Sequence, residues 1–354
     1  MVSLQEIKIN RVSQSKVTSV DFENIPFGRV YSDHMFIAEY VDGKWDNLRI
    51  EPYQDLQIAP GSAILHYAQS IFEGLKAYKS HSGDTLVFRP LSNYKRMNVS
   101  AERMCMPAIT EEIFMGGMTE LLKLDKAWVP GAPGTSLYIR PFMFANDEYI
   151  GIRPSDKYKF IIFTCPVGSY YSEPVKVKIE QHFSRAASGG TGSAKTGGNY
   201  AGSLFPAKKA QQEGYHQLIW TDSKEHRYIE EAGTMNIMFR MGKKILTAPT
   251  GETILHGITR DSVLTLARDM GYEVEERPIT VDEIISAIQT NRLDEAFGTG
   301  TAATIAHIKT IGHEGVDFEL PPVQGREFSN TILKTLDEIK YGQAEDKHNW
   351  VYKI

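Results

Sequence analysis

With 354 residues, 42% apolar and 23% charged, the chain has the make-up of a water-soluble globular protein of about two domains, which excludes a disordered one. A formal charge of -5, without a basic block or an interleaved run of Arg and aromatic residues, gives no footing for nucleic acid and points to a small-molecule partner. No stretch approaches the roughly 20 apolar residues of a membrane span, and "MVSLQEIKINRVSQSKVTSVDF" has neither the apolar run of a secretory signal nor, with Glu6 and Asp21, the composition of a mitochondrial presequence; a cytoplasmic protein is expected.

In chain order, strand-like "MFIAEYVDGKW", "TLVFRP" and "SLYIRPFMF" mix with helical "SNYKRMNVSAERM" and "EEIFMGGMTELLKLDKAW", predicting a small α+β domain over residues 1–167. Cys105 and Cys165 lie far apart in apolar neighbourhoods and read as buried thiols, not as a disulfide or a thiolate metal site; no metal is expected. After "YKFIIFTCPVG", the polar "SYYSEPVKV" reads as a linker over residues 168–176. A second, larger domain follows over residues 177–354, beginning with strand-like "VKVKIEQHF".

Within it, "YAGSLFPAKKAQQEGY" predicts a helix whose start Pro206 constrains, and "QLIWTDSKEHRYIEE" a hairpin around Asp222 and Ser223. "ITRDSVLTLARDMGY" is the clearest helix, with Val263, Leu266, Ala267 and Met270 at helical spacing and Gly271 where a helix stops. Strands and helices do not alternate strictly, which favours α+β over a doubly wound sheet.

"GGTGSAKT", Gly189 to Thr196, misses the phosphate-loop pattern G-x-x-x-x-G-K-[ST] by one residue, Ala194. Such a loop needs a preceding strand, a glycine just before the lysine and a helix starting at the lysine. The strand is plausible; the helix is not, since Gly197 and Gly198 would cost roughly 1 kcal/mol each in a first turn. Lys195, flanked by glycines, suits instead an amine approached by a planar ligand, able to form a Schiff base. From this segment alone a solvated surface lysine is an equal reading.

"SAKTGGNYAGSL", "YIEEAGTMNIMF", "LHGITRDSVLTLA" and "FGTGTAATI", in that order, with "LHYAQSIFEGLKAY", "VFRPLSNYKRM" and "LYIRPFMF" before them, resemble the branched-chain amino acid aminotransferases. These are pyridoxal 5'-phosphate enzymes of fold type IV, the two-domain fold that includes the D-amino acid aminotransferases. The resemblance runs from about Tyr31 to the C-terminal "DKHNWVYKI". It implies that Lys195 links the cofactor and moves the proton, that Glu231 keeps the ring nitrogen protonated, and that Tyr200 bonds the phenolic oxygen. Glu230 would take the acid's role if the strand register were shifted by one.

The resemblance further places the phosphate on Arg96 and on the backbone N–H groups of Ile258 and Thr259, where the helix N-terminus favours an anion, with the Thr301 hydroxyl adding to it. For the substrate it implies N–H groups of Thr301 and Ala302 at the α-carboxylate and Phe72, Tyr138 and Thr234 around the side chain. Tyr67 and Ile152 would reach in from the other copy of a homodimer, and Arg140 would meet the second carboxylate of glutamate. Ala303 and Ala306 replace the C-x-x-C pair of one branch of the family, so no thiol switch is expected. Implied is ping-pong transfer of the amine of L-leucine, L-isoleucine or L-valine to 2-oxoglutarate. A D-amino acid aminotransferase or an aminodeoxychorismate lyase is the nearest rival; a nucleotide hydrolase and a silent small-molecule binder are the others.

Overall fold

The computed structural model describes residues 6–168 and 173–354. The chain forms two compact units: Met1–Tyr170, Ala194–Gly197 and Glu338–Ile354 make up the first, and Tyr171–Ser193 and Gly198–Asp337 the second. Among the described residues, no helix is long and apolar enough to cross a membrane.

The first unit contains β1 (Lys8–Ile9), β2 (His34–Val41), β3 (Lys44–Pro52), β4 (Ser70–Phe72), β5 (Leu75–Lys79), β6 (Thr85–Phe88), β7 (Ser136–Ala145) and β8 (Tyr158–Val167). They pair in the order β1-β3-β2-β8-β7-β5-β6, with β4 beside β7, and the C-terminal strand Val351–Lys353 pairs with β6. Helices α1 (Ala63–Tyr67), α2 (Pro90–Arg103) and α3 (Glu111–Leu124) accompany the sheet. The Thr110 hydroxyl caps α3 by accepting from the Ile113 N–H. Gly117 lets α3 approach the sheet, since a Cβ there would sit 2.5 Å from the Phe36 ring. Phe36, Ile50, Phe114, Trp128 and Phe160 fill the core behind it, each such side chain contributing about 1.5–3 kcal/mol through burial.

The second unit contains β9 (Val175–Ile179), β10 (Gln217–Thr221), β11 (Ile229–Ala232), β12 (Met235–Met241), β13 (Lys244–Thr247), β14 (Glu273–Glu276), β15 (Glu295–Gly300), β16 (Thr304–His313) and β17 (Val316–Glu319). The order is β11-β10-β9-β16-β15-β12-β13-β14, and β11 also pairs with β12, so β9, β10, β11, β12, β15 and β16 close into a ring. Helices α4 (Gly197–Gln212), α5 (Ile258–Asp269), α6 (Val281–Gln289) and α7 (Glu327–Lys340) follow in chain order. Val263, Leu266 and Ala267 of α5 are buried and Gly271 adopts φ +75°, as the spacing predicted. The β10–β11 hairpin is organised by Asp222, whose carboxylate accepts from the N–H groups of Lys224, Glu225, Arg227 and Tyr228. Burial opposes its ionisation, but these donors hold the carboxyl below its usual range.

Four expectations need correction. Cys105 is exposed; it follows α2 with φ +53°, where the chain turns outward, whereas Cys165 is buried in β8 and burial pushes its thiol up to about 11. The expected linker ends too late, because β9 already begins at Val175; residues 169–172 lie outside the described residues. The last strand does not join the second unit but the sheet of the first. Finally, no strand leads directly into Gly189–Thr196, while α4 starts at Gly197 with both glycines in its first turn and runs through Pro206. Close approach accounts for the first of them: a Cβ on Gly197 would stand 3.0 Å from Ser70 Oγ, whereas one on Gly198 would meet nothing within 4 Å; Gly202, four residues before Pro206, offers its ring no side chain to meet.

Candidate functional site

In the first unit, the tetrapeptide carrying Lys195 is laid against β4. Thr196 bridges to Ile71, Phe72 N–H donates to Lys195 O at 3.0 Å and Thr196 Oγ1 to Ser70 O at 2.9 Å. The Lys195 N–H donates to Ser100 Oγ on α2 at 2.9 Å. Three backbone or hydroxyl bonds thus fix the base of the side chain, and its Nζ lies 4.9 Å from the centre of the Phe72 ring.

The same sheet face carries Arg140 and Tyr138, two residues apart on β7. Arg140 lies 4.7 Å over Phe72 and 5.3 Å over Tyr138, and its Nη2 donates to the Tyr138 hydroxyl at 3.1 Å. The buried Arg140 Nε has no hydrogen-bond partner. Tyr138 can occupy this place because residue 74 is glycine: a Cβ there would overlap the phenol oxygen. The Phe27 ring meets Tyr138 edge-on at 5.7 Å, so the segment before β2 also borders this face. Arg96 on α2 is 9% exposed and is held by Glu73, a fully buried carboxylate. Tyr67, at the end of α1, and Ile152, 94% exposed, lie on the surface.

The second unit presents a concave pocket lined by Arg185, Asn199, Tyr200, Glu231, Thr234 and Leu255, among others. Glu231, 3% exposed, accepts from Asn236 Nδ2 at 3.1 Å and from the Leu255 N–H at 2.9 Å. Arg185 Nε lies 2.9 Å from its other oxygen, a charge contact without the alignment of a hydrogen bond. Glu230 turns the other way, as alternation along β11 requires, and accepts from Thr253 Oγ1 at 2.6 Å. Burial pushes its carboxyl above the ordinary range, and the Thr253 bond offsets only part of that.

Asn236 joins these parts. It is opposite Glu231 on one side and Thr299 on the other, and its Nδ2 also donates to Leu255 O at 3.0 Å. Beyond Leu255 the chain enters α5 through Gly257, where a Cβ would overlap Asn236 Oδ1, so Ile258 and Thr259 form the first turn close to this row. Past Thr299, Thr301, Ala302 and Ala303 form the turn of the β15–β16 hairpin, closed by the pair Gly300 and Thr304. Thr304, in that closing pair, takes φ +59°, a left-handed conformation that a β-branched residue seldom adopts.

The residues just before and after that tetrapeptide are tied down within the second unit. Asn199 and Thr191 bond each other twice, at 2.7 Å each, and Arg185 donates to the carbonyls of Gly192 and Thr253. Lys195, Phe72, Tyr138 and Arg140 therefore cluster in the first unit, with Arg96 on the helix that holds the lysine backbone. Tyr200, Glu231 and Thr234 share the pocket of the second, and Ile258, Thr259, Thr301 and Ala302 connect to it through Asn236. Sequence reasoning missed Glu73, Phe27, Arg185 and Asn236. Glu73 and Asn236 sit inside quoted motifs, "FEGLK" and "GTMN", whereas Phe27 and Arg185 lie in irregular segments without a local signal.

The family described as amino-transferase class IV matches residues 70–311. Branched-chain-amino-acid aminotransferase 2 of Bacillus subtilis is 42% identical over 354 residues, covering 99% of this chain and 97% of that protein. A branched-chain-amino-acid aminotransferase of Mycobacterium tuberculosis is 39% identical over 337 residues, 93% of this chain and 92% of its own length. Among solved structures, the branched-chain amino acid aminotransferase of Escherichia coli superposes with a TM-score of 0.73 at 27% identity, covering 90% of this chain and 98% of that one.

Proposed function

From the premise that this chain belongs to the class IV amino-transferases, we propose that it exchanges the amine of branched-chain L-amino acids with 2-oxoglutarate, using pyridoxal 5'-phosphate. The observation that carries this reading is Glu231, a buried acid paired with Arg185 and lining one pocket with the phenol of Tyr200. The donor set suits the cofactor group by group: an amine for its aldehyde, an acid for its ring nitrogen, a phenol for its ring oxygen, and a cation with a helix N-terminus for its phosphate.

Bound there, the cofactor supplies the electron sink for a carbanion. Lys195 would hold it through Nζ, and its amine would move the proton at the substrate's Cα. Glu231 keeps the ring nitrogen protonated, and Tyr200 bonds the ring oxygen. Arg96, the N–H groups of Ile258 and Thr259 and the Thr301 hydroxyl hold the phosphate. The N–H groups of Thr301 and Ala302 bind the α-carboxylate, while Phe72, Tyr138 and Thr234 surround the side chain. Tyr67 and Ile152, exposed in a single chain, complete the site of a second copy in a cytoplasmic homodimer.

An apolar pocket separates homologous side chains weakly, at about 1–3 kcal/mol per methylene, so leucine, isoleucine and valine should all react. Glutamate is admitted by Arg140. Arg140→Ala is expected to raise KM for 2-oxoglutarate about 30-fold, the loss of a charge-assisted bond of about 2 kcal/mol, while KM for leucine stays within about threefold. Equal effects on both substrates would remove Arg140 from this role. The reading as a whole is tested by single-turnover bleaching of the visible absorption of the purified holoprotein with each L- and D-amino acid. L-Leu, L-Ile, L-Val and L-Glu should bleach it. Bleaching by D-enantiomers alone, or a colourless protein that binds ATP with magnesium, would overturn it.

A further inference from the structure

Three residues on one stripe of α2, Asn93, Arg96 and Ser100, carry separate bonds at spacings that place them on a single face. Ser100 holds the Lys195 N–H at 2.9 Å, and Arg96 and Asn93 both face Glu73. Glu73, between β4 and β5, is wholly buried, and its carboxylate is fully committed. It accepts from Arg96 Nε at 2.7 Å, Arg96 Nη2 at 2.8 Å, Asn93 Nδ2 at 2.7 Å and the Gly74 N–H at 3.2 Å. Asn93 is in turn anchored to Gly74 O at 3.2 Å.

We propose that Glu73 is a positioning residue that fixes the guanidinium of Arg96 for the cofactor phosphate. The paired bonds to Nε and Nη2 fix both the plane and the rotamer of a side chain that would otherwise lose several torsions on binding an anion. With its own oxygens occupied, Glu73 makes no contact with a ligand and acts through Arg96. It also counters one of two cations, Arg96 and Lys195. Burial alone would push its carboxyl up, but these cations and Asn93 hold it below the usual range. The inference rests on the reading that Arg96 meets the phosphate, so Arg96→Met must be measured beside it.

The experiment titrates the apo forms of wild type, Glu73→Gln, Glu73→Asp and Arg96→Met with pyridoxal 5'-phosphate, following tryptophan fluorescence, and repeats the titration with pyridoxal, which lacks the phosphate. Partners that orient a ligand-binding group typically account for 10–100-fold in affinity, so Glu73→Gln should weaken cofactor binding about 30-fold. Pyridoxal binding should stay within about threefold, which a general loss of fold would not allow. Glu73→Asp, which restores the charge, should recover most of the affinity. Unchanged or tighter cofactor binding in Glu73→Gln, with Arg96→Met weakened, would overturn this inference while sparing the phosphate reading. Unchanged binding in Arg96→Met would overturn both. Should Glu73→Gln not fold, the residual loss in Glu73→Asp decides: a small weakening confined to the phosphorylated ligand supports the proposal, and no weakening, or equal weakening of both ligands, refutes it.

Discussion

Lys195→Ala is expected to fold, to bind pyridoxal 5'-phosphate only reversibly, and to lower kcat by about 10⁴-fold, the upper end of what a positioned proton-transfer group contributes. The fold should survive because the side chain is not what anchors the segment. The Lys195 N–H bond to Ser100 and its carbonyl bond to Phe72 belong to the backbone, and Thr196 adds its own bond to Ser70. What disappears is the amine that stands over Phe72. Borohydride treatment followed by mass spectrometry gives the check: wild type should carry the reduced cofactor on Lys195, and the variant none. Near-normal turnover, or the cofactor mass on another residue, would end the assignment.

Glu231→Gln should slow both half-reactions about 10³-fold, comparable to removing a preorganised electrostatic group from an active site. The amide retains an oxygen for Asn236 and Leu255, but it places an N–H₂ group opposite Arg185 and can no longer hold a proton on the ring nitrogen. A stability loss of about 1–3 kcal/mol should accompany it. Glu230→Gln is the matched control. Its carboxyl is already displaced toward the neutral form by burial and turned to Thr253, so turnover should change less than about twofold. Stopped-flow measurement of each half-reaction separates the two variants. A slow Glu230→Gln beside a normal Glu231→Gln would exchange their roles.

Local pattern made much of this legible. The apolar spacing and closing glycine of α5, the Asp222 hairpin and the strands of "MFIAEYVDGKW" depend on neighbours in sequence. That Glu230 and Glu231 point to opposite faces follows in the same way once β11 is recognised as a strand, whereas the preference for Glu231 comes from the resemblance. Quantities set by distant residues were not legible. The Gly197 and Gly198 pair looked like a barrier to a helix because propensity weighs them alone, whereas the structure shows Ser70 pressing on the first of them. Gly74 and Gly257 mark close approaches to Tyr138 and Asn236, which no local window contains. Arg185 carries no local signal, since its partners, Glu231 and Thr253, come from separate β-strand and loop segments. The homologous motifs supplied roles for individual side chains; they did not supply the stripe on α2 that ties Arg96 to the lysine backbone.

The first unit is assembled from three stretches of chain: its long N-terminal part, the four residues Ala194–Gly197 and the tail from Glu338. A protease nick or a gene truncation near residue 170 would therefore not release a self-sufficient half. The remaining piece would leave β6 with an open, hydrogen-bond-hungry edge where Val351–Lys353 belongs, and β4 without the Thr196 bridge. On the ribosome, the same arrangement means that the first sheet emerges early yet waits for Val351–Lys353 to be sealed.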